Sequence, residues 1–220
     1  GERILIHGDY DVDGIAASVL LMRFFGLLKH PSSYVLPSRE GEGYGLSAAA
    51  VRKARDGGFP LLLTADCGIS AVEEALLARK LGVDLIITDH HEPPADLPEA
   101  EAIVHPRLPG GRYPFGGLCG TGVALKLLLL VLARLPDRRS KAFPGEKFLT
   151  EAVGWAALAT LADVAPLVDE NRVLTVFGLR TLGRTQNLGL IALKNAAGMP
   201  PFPVTPYDVA FKLGPRLNAP

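Results

Sequence analysis

Residues 3–28 read RILIHGDYDVDGIAASVLLMRFFGLL, and the change of pattern inside them decides the fold. RILIHG, 3–8, is an apolar run of strand length, whereas GIAASVLLMRFFGLL, 14–28, is apolar over the length of a mostly buried helix. A strand running straight into such a helix opens a βα unit. Working outward, the alternation repeats: SYVLP as a second strand, SAAAVRKARDGG as a helix closed by glycine, PLLLTAD as a third strand, SAVEEALLARKLG as a helix and DLIITDH as a fourth strand. EAIVHP predicts a fifth strand and TGVALKLLLLVLARL a long helix, followed by PDRRSKAFPGEK, rich in charge, proline and glycine, as an exposed connection. FLTEAVGWAALATLADVAPL and NRVLTVFGLRTLGR then read as helices. The pattern predicts an α/β fold, a Rossmann-like parallel sheet flanked by helices, with a helical C-terminal part.

Bulk properties narrow the function classes. With 220 residues and 48% hydrophobic content the chain can bury a full core without staples. Lys+Arg and Asp+Glu both number 23, so no global field advertises nucleic acid, membrane or acidic partners, and a charged substrate must be held locally. Cys67 and Cys119 form no CxxC pair, which argues against a zinc ribbon or redox motif and fits a reducing, cytoplasmic setting. The run from Val123 is interrupted by Lys126 and Arg134 and is short for a membrane span. An opening without Met and a close on GPRLNAP predict a segment of a longer protein.

Open parallel sheets bind ligands beyond the C-terminal ends of their strands. There this sequence sets His7, Asp9, Asp11 and Asp13 after the first strand, Asp66 after the third, and Asp89, His90 and His91 after the fourth, with Asp163 after the apolar run WAALATLADVAPL. Carboxylates and imidazoles gathered on one edge repel one another unless cations sit among them. Oxygen and nitrogen donors without thiolates suit Mn²⁺, with Mg²⁺, Co²⁺ or Zn²⁺ as substitutes, and the excess of carboxylates suits two ions. Such a pair activates water and stabilises both oxygens of an in-line phosphoryl displacement, so hydrolysis of a phosphate ester is the leading chemistry.

Plainer readings stand beside these. DYDVDG could simply cap the following helix, and an EF-hand is disfavoured because Leu20 stands where a loop starting at Asp9 needs Glu. Asp66 and Asp163 could each be ordinary capping residues. GGLCGTG could turn backbone N–H groups toward a phosphate or serve only as a tight strand-to-helix turn.

Taken in order, DYDVDG, TADCG, DHH and LADVAPL resemble the four motifs of the DHH phosphoesterase superfamily. The longer strings HGDYDVDG, PSREGEGYGLS, TADCGIS, TDHHEPP, YPFGGLCGTGVALKL, LATLADVAPL and LGPRLNAP are similar to RecJ-type nucleases over nearly the whole chain. That resemblance implies a metal-dependent phosphodiesterase that removes nucleotides from the 5′ end of single-stranded DNA in repair and recombination. It implies two Mn²⁺ ions, or Mg²⁺, as cofactors, and a single-strand binding protein or helicase as partner. His7, Asp11 and Asp66 would hold one ion, and Asp13, Asp66, His90 and Asp163 the other. Asp9 and Asp89 would orient the ligands, His91 would face the scissile phosphate, and Arg39 and Arg216 would grip the strand; His91, Asp66 and Asp89 form the implied catalytic set.

The implied organisation over 1–220 is a parallel α/β core at 1–133, an exposed connection at 134–149, a helical part carrying Asp163 at 150–195, and at 196–220 the start of a linker to a DHH-associated domain absent from this sequence. The rival readings are a small-substrate relative acting on oligoribonucleotides, pAp or cyclic dinucleotides, and a non-catalytic scaffold module.

Overall fold

A computed structural model of the chain describes residues 2–38, 43, 45–136, 143–200 and 202–219. Five parallel strands, β1 (Ile4–Gly8), β2 (Ser32–Val35), β3 (Leu61–Ala65), β4 (Asp84–Thr88) and β5 (Ala102–Val104), form one sheet in the order β2-β1-β3-β4-β5. Between β1 and β3 the order reverses direction, which opens a crevice at the C-terminal ends of those two strands.

Helices α1 (Val12–Leu27), α2 (Ala48–Asp56) and α3 (Val72–Leu81) make the crossovers. Ile4 and Ile6 of β1 face one side and pack with Leu63 and Ala65 of β3 against α1. That layer is completed by α4 (Gly120–Arg134) and α5 (Gly145–Ala162). Leu5, Leu62, Leu85 and Ile87 face the other way, onto α2 and α3. Both faces of the central strands are therefore covered, which is why RILIHG reads as continuous apolar sequence rather than as an alternation.

A third cluster joins Ala157, Leu158 and Leu161 of α5 to α6 (Asp169–Gly183), α7 (Leu188–Ala196) and the C-terminal stretch. That stretch, expected to begin a linker, comprises α8 (Pro206–Asp208), a π-helical turn Val209–Leu213 and α9 (Gly214–Asn218), and it buries Val204, Val209 and Leu213 in this cluster. The connection expected over 134–149 is shorter than the sequence suggested: Arg134 is the last residue of α4, and α5 already starts at Gly145. Phe143 and Phe148 anchor it, packing their rings against Phe24 of α1 at 5.2 and 5.4 Å, so this part of the stretch is buried rather than exposed. Among the described residues no helix is long and apolar enough to cross a membrane.

Candidate metal centre

The sheet's hydrogen-bond ladder runs one residue past each central strand, and each of those residues is an aspartate. Asp9 N–H donates to the Ala65 carbonyl at 3.2 Å, Asp66 N–H to Thr88 at 2.9 Å, and Asp89 N–H to Val104 at 3.2 Å. Three carboxylates are thereby fixed by main chain along one edge, all but removed from solvent. Asp66 holds its place at φ +68°, a left-handed backbone that Asp tolerates better than most side chains.

Around His90 Nε2 the ligand-type atoms converge: Asp66 Oδ1 at 3.1 Å, Asp13 Oδ2 at 3.7 Å and Asp163 Oδ2 at 3.7 Å. Asp163 reaches this point from the C-cap of α5, and Asp13 from the first turn of α1. Among the described residues there are three sets whose donor atoms lie within 4.8 Å of one another: Asp66 with His90 and His91, Asp13 with His90 and Asp163, and Asp9 with Asp11 and Asp66. Among the described residues Asp66 Oδ1, Asp9 Oδ2 and His90 Nε2 are buried without a hydrogen-bond partner. A native fold leaves such atoms only where something else satisfies them.

The electrostatics agree with that geometry. Burial, with Asp13, Asp11, Asp89 and Asp163 around it, pushes the Asp66 carboxyl well above the usual carboxylate range. Burial raises Asp163 to about 7, helped by Asp13 and Asp11, and raises Asp9 to about 6. Burial also lowers His90, keeping its imidazole neutral and able to ligate.

Asp89 stands behind the cluster. Its Oδ1 accepts from His90 N–H at 2.7 Å, His91 N–H at 3.1 Å and His91 Nδ1 at 2.7 Å, and its Oδ2 accepts from Ile69 N–H at 2.8 Å. Burial alone would raise its pKa, but the bonds from His91 and Ile69 outweigh that and hold it low. The same Asp89 bond raises the pKa of His91.

Asp11 caps α1, its Oδ1 accepting from Gly14 N–H at 2.9 Å, and belongs to the acidic cluster as well, so the capping and ligand readings are compatible. Asp9, expected to orient ligands from behind, lies with Asp11 and Asp66 in one of the three sets. His7, expected to be a ligand, is buried at the end of β1 with Nε2 3.1 Å from the Gly45 carbonyl, outside the three sets. Arg39 lies outside the described residues. Arg216 is exposed, with Nη1 donating to the Lys212 carbonyl at 2.8 Å. Burial raises both thiols well above the ordinary range, so neither Cys67 nor Cys119 is poised as a nucleophile.

The glycine-rich GGLCGTG serves neither of its expected purposes alone. The N–H groups of Gly120 and Thr121, opening α4, donate to the two carboxylate oxygens of Asp13 at 2.6 and 2.7 Å, and Thr121 Oγ1 donates to the Asp13 carbonyl at 2.9 Å. The anion at this helix N-terminus is a side chain of the protein itself. Sequence reasoning also passed over His105 and Arg107, which bond to the His91 and His90 carbonyls; their one signal was their place directly after β5.

The donor set of carboxylate oxygens and imidazole, with partnerless atoms at its centre, fits divalent cations of the Mn²⁺ or Mg²⁺ type.

Similarity to known proteins agrees. The single-stranded-DNA-specific exonuclease RecJ of Bacillus subtilis is 43% identical over 218 residues, 99% of this chain and 26% of that protein. Its Escherichia coli counterpart is 40% identical over 229 residues, covering 100% of this chain and 39% of that protein. The chain thus spans about a quarter to two fifths of these curated relatives. A crystal structure of exonuclease RecJ bound to manganese superposes with a TM-score of 0.82 at 36% identity, over 100% of this chain and 53% of that one. RecJ from Thermus thermophilus in complex with Mn²⁺ gives 0.80 at 33%, over 100% of this chain and 30% of that one. Residues 3–160 match the N-terminal domain of the DHH family, a span that runs from β1 into α5 and includes Asp13, Asp66, His90 and His91, and the chain therefore belongs to the DHH family.

Proposed function

We propose that this chain is the catalytic domain of a Mn²⁺- or Mg²⁺-dependent exonuclease that hydrolyses phosphodiester bonds of single-stranded DNA from the 5′ end, in the cytoplasm. The observation that carries the chemistry is the convergence of Asp13, Asp66 and Asp163 on His90 Nε2, with Asp66 Oδ1 and His90 Nε2 buried and lacking hydrogen-bond partners. Support for the substrate is the likeness to RecJ exonucleases along the whole chain.

Asp13, Asp66, His90 and Asp163 would hold one ion, and Asp11 and Asp66, with Asp9 beside them, a second. When bound, such ions supply an activated water and offset charge on the phosphoryl oxygens. The chain's own contribution is positioning. Asp89 holds His91 through Nδ1 and raises its pKa, which supports a role for that ring in donating toward a phosphoryl oxygen as charge builds there. Polarity must come from groups that read the terminal phosphate, because the metal cluster sees the same diester on either strand direction. In favour of Arg216 in that role is the bond from Val12 N–H to Asn218 Oδ1, 2.9 Å, which ties its helix to the β1–α1 turn.

The test is digestion of single-stranded oligonucleotides labelled at either end, in Mn²⁺, with Asp66→Ala as control. Mononucleotides released from the 5′ end and lost with EDTA or the substitution are the expected result. Intact DNA alongside hydrolysis of pAp or dinucleotides would overturn the substrate while keeping the chemistry.

A further inference from the structure

We propose that His105 and Arg107, in the turn after β5, are positioning residues that lock the backbone of the His90–His91 pair and so aim both imidazoles at the metal cluster. This inference rests on the metal-binding reading above. All four backbone polar groups of the dipeptide are bonded. Both N–H groups donate to Asp89 Oδ1. Both carbonyls accept from the β5 turn: His90 from Arg107 Nη2 at 2.7 Å, and His91 from His105 Nε2 at 2.7 Å. Asp89 thus holds the pair from one side and the 105–107 turn from the other, and each of its four backbone polar groups is committed.

The chemistry of His105 is settled by its neighbours. The Arg107 main-chain N–H points at His105 Nδ1, 3.0 Å away, and can only donate; the His91 carbonyl can only accept. The ring must therefore be neutral with its proton on Nε2. The side chain is nearly buried, and a buried group with both ring nitrogens committed holds its orientation tightly. Arg107 is anchored in turn by Glu92 Oε2 at 2.8 Å, one residue past the pair, so its guanidinium spans the loop. Partners that hold the second ring nitrogen of a metal-binding histidine are worth about 10–100-fold in metal affinity; a clamp on the main chain beneath the ring acts one step further out.

Four variants separate this role from general support of the fold. His105→Leu keeps the volume but removes both bonds, His105→Asn restores a donor and an acceptor, Arg107→Ala removes the second carbonyl bond, and Arg107→Lys can restore it. Mn²⁺ dissociation constants are measured by electron paramagnetic resonance, with melting of the metal-free protein in parallel. We expect Arg107→Ala and His105→Leu each to weaken Mn²⁺ binding severalfold, with His105→Asn recovering most of its loss and Arg107→Ala leaving the metal-free melting temperature unchanged. Long-range ¹H–¹⁵N spectra of the metal-free protein should show the His105 proton on Nε2. A proton on Nδ1, or Leu and Ala variants that bind Mn²⁺ as tightly as the parent, overturns the clamp. If His105→Leu does not fold, the exposed Arg107 side chain carries the decision alone. Failure of the parent to bind Mn²⁺ would sink the metal reading instead, and the two failures are distinct.

Discussion

Substituting Gly120 by alanine should disable the centre with a single methyl group. A Cβ at that position would lie 2.3 Å from Asp66 Oδ1 and 2.6 Å from both Cβ and Cγ of Asp66, about 1 Å short of ordinary contact. Neither side can yield easily. Gly120 N–H is bonded to Asp13 Oδ2 at 2.6 Å, and Asp66 is held by its N–H on Thr88 and by its left-handed backbone. The carboxylate must therefore move by about 1 Å, a misplacement that costs on the order of 100-fold in rate. Overpacking of a filled interior adds about 1–3 kcal/mol of destabilisation, a drop of roughly 2–12 °C in melting temperature for a domain of this size. Gly122→Ala is the control in the same helix, because its nearest contact, Leu118 Cδ2 at 3.3 Å, needs only a few tenths of an ångström of adjustment. Mn²⁺ titration, melting and oligonucleotide hydrolysis on the two variants decide the matter. If Gly120→Ala matches the parent in metal affinity and rate, the packing of α4 on Asp66 is not what sets that carboxylate, and the reasoning fails.

Asp66→Asn should abolish Mn²⁺-dependent stabilisation yet melt higher than the parent without metal, because it removes a buried carboxylate surrounded by like charge and Asn tolerates the same positive φ. Asp163 at about 7 and Asp9 at about 6 lie above the unfolded value near 3.9. The folded metal-free protein then binds protons that the unfolded chain has released, so their contribution to stability is full at low pH and is lost as pH rises from about 4 to about 7. Comparing the melting slope over that window with that of Asp163→Asn, which should be shallower, checks the sign; an equal slope refutes it. Gly178→Ala should destabilise by about 1–3 kcal/mol, since a Cβ there meets Ala157 Cβ and the Val153 carbonyl at 2.3 Å, while leaving Mn²⁺ affinity within about twofold. A larger affinity loss on titration would show that the α5–α6 contact reaches the centre.

The sheet and the row of acidic residues were legible because both follow from local pattern. Apolar runs such as LLLTA and DLIIT announce buried parallel strands, and an aspartate directly after each lands on one edge whatever the crossovers do. What could not be read were contacts joining distant segments. Nothing near GGLCGTG shows that its N–H groups bind Asp13, 107 and 108 positions earlier in the chain. His105 is one imidazole after a short strand, and its partner His91 becomes apparent only when β5 pairs with β4. The start of α5 is hidden because PDRRSKAFPGEK has loop composition, while the burial of Phe143 and Phe148 against Phe24 is a tertiary effect that composition does not carry.

Asp163 sits on the C-cap of α5, 150 residues after Asp13, and this spacing puts the centre on a clock. A ribosome adding about 5–20 residues per second takes roughly 8–30 s to travel from one to the other. Asp66 and His90 are added along the way, and Asp163 comes last of the four. The five strands are therefore made before the last of these side chains exists, and the finished cluster marks the moment at which α5 has closed over the sheet.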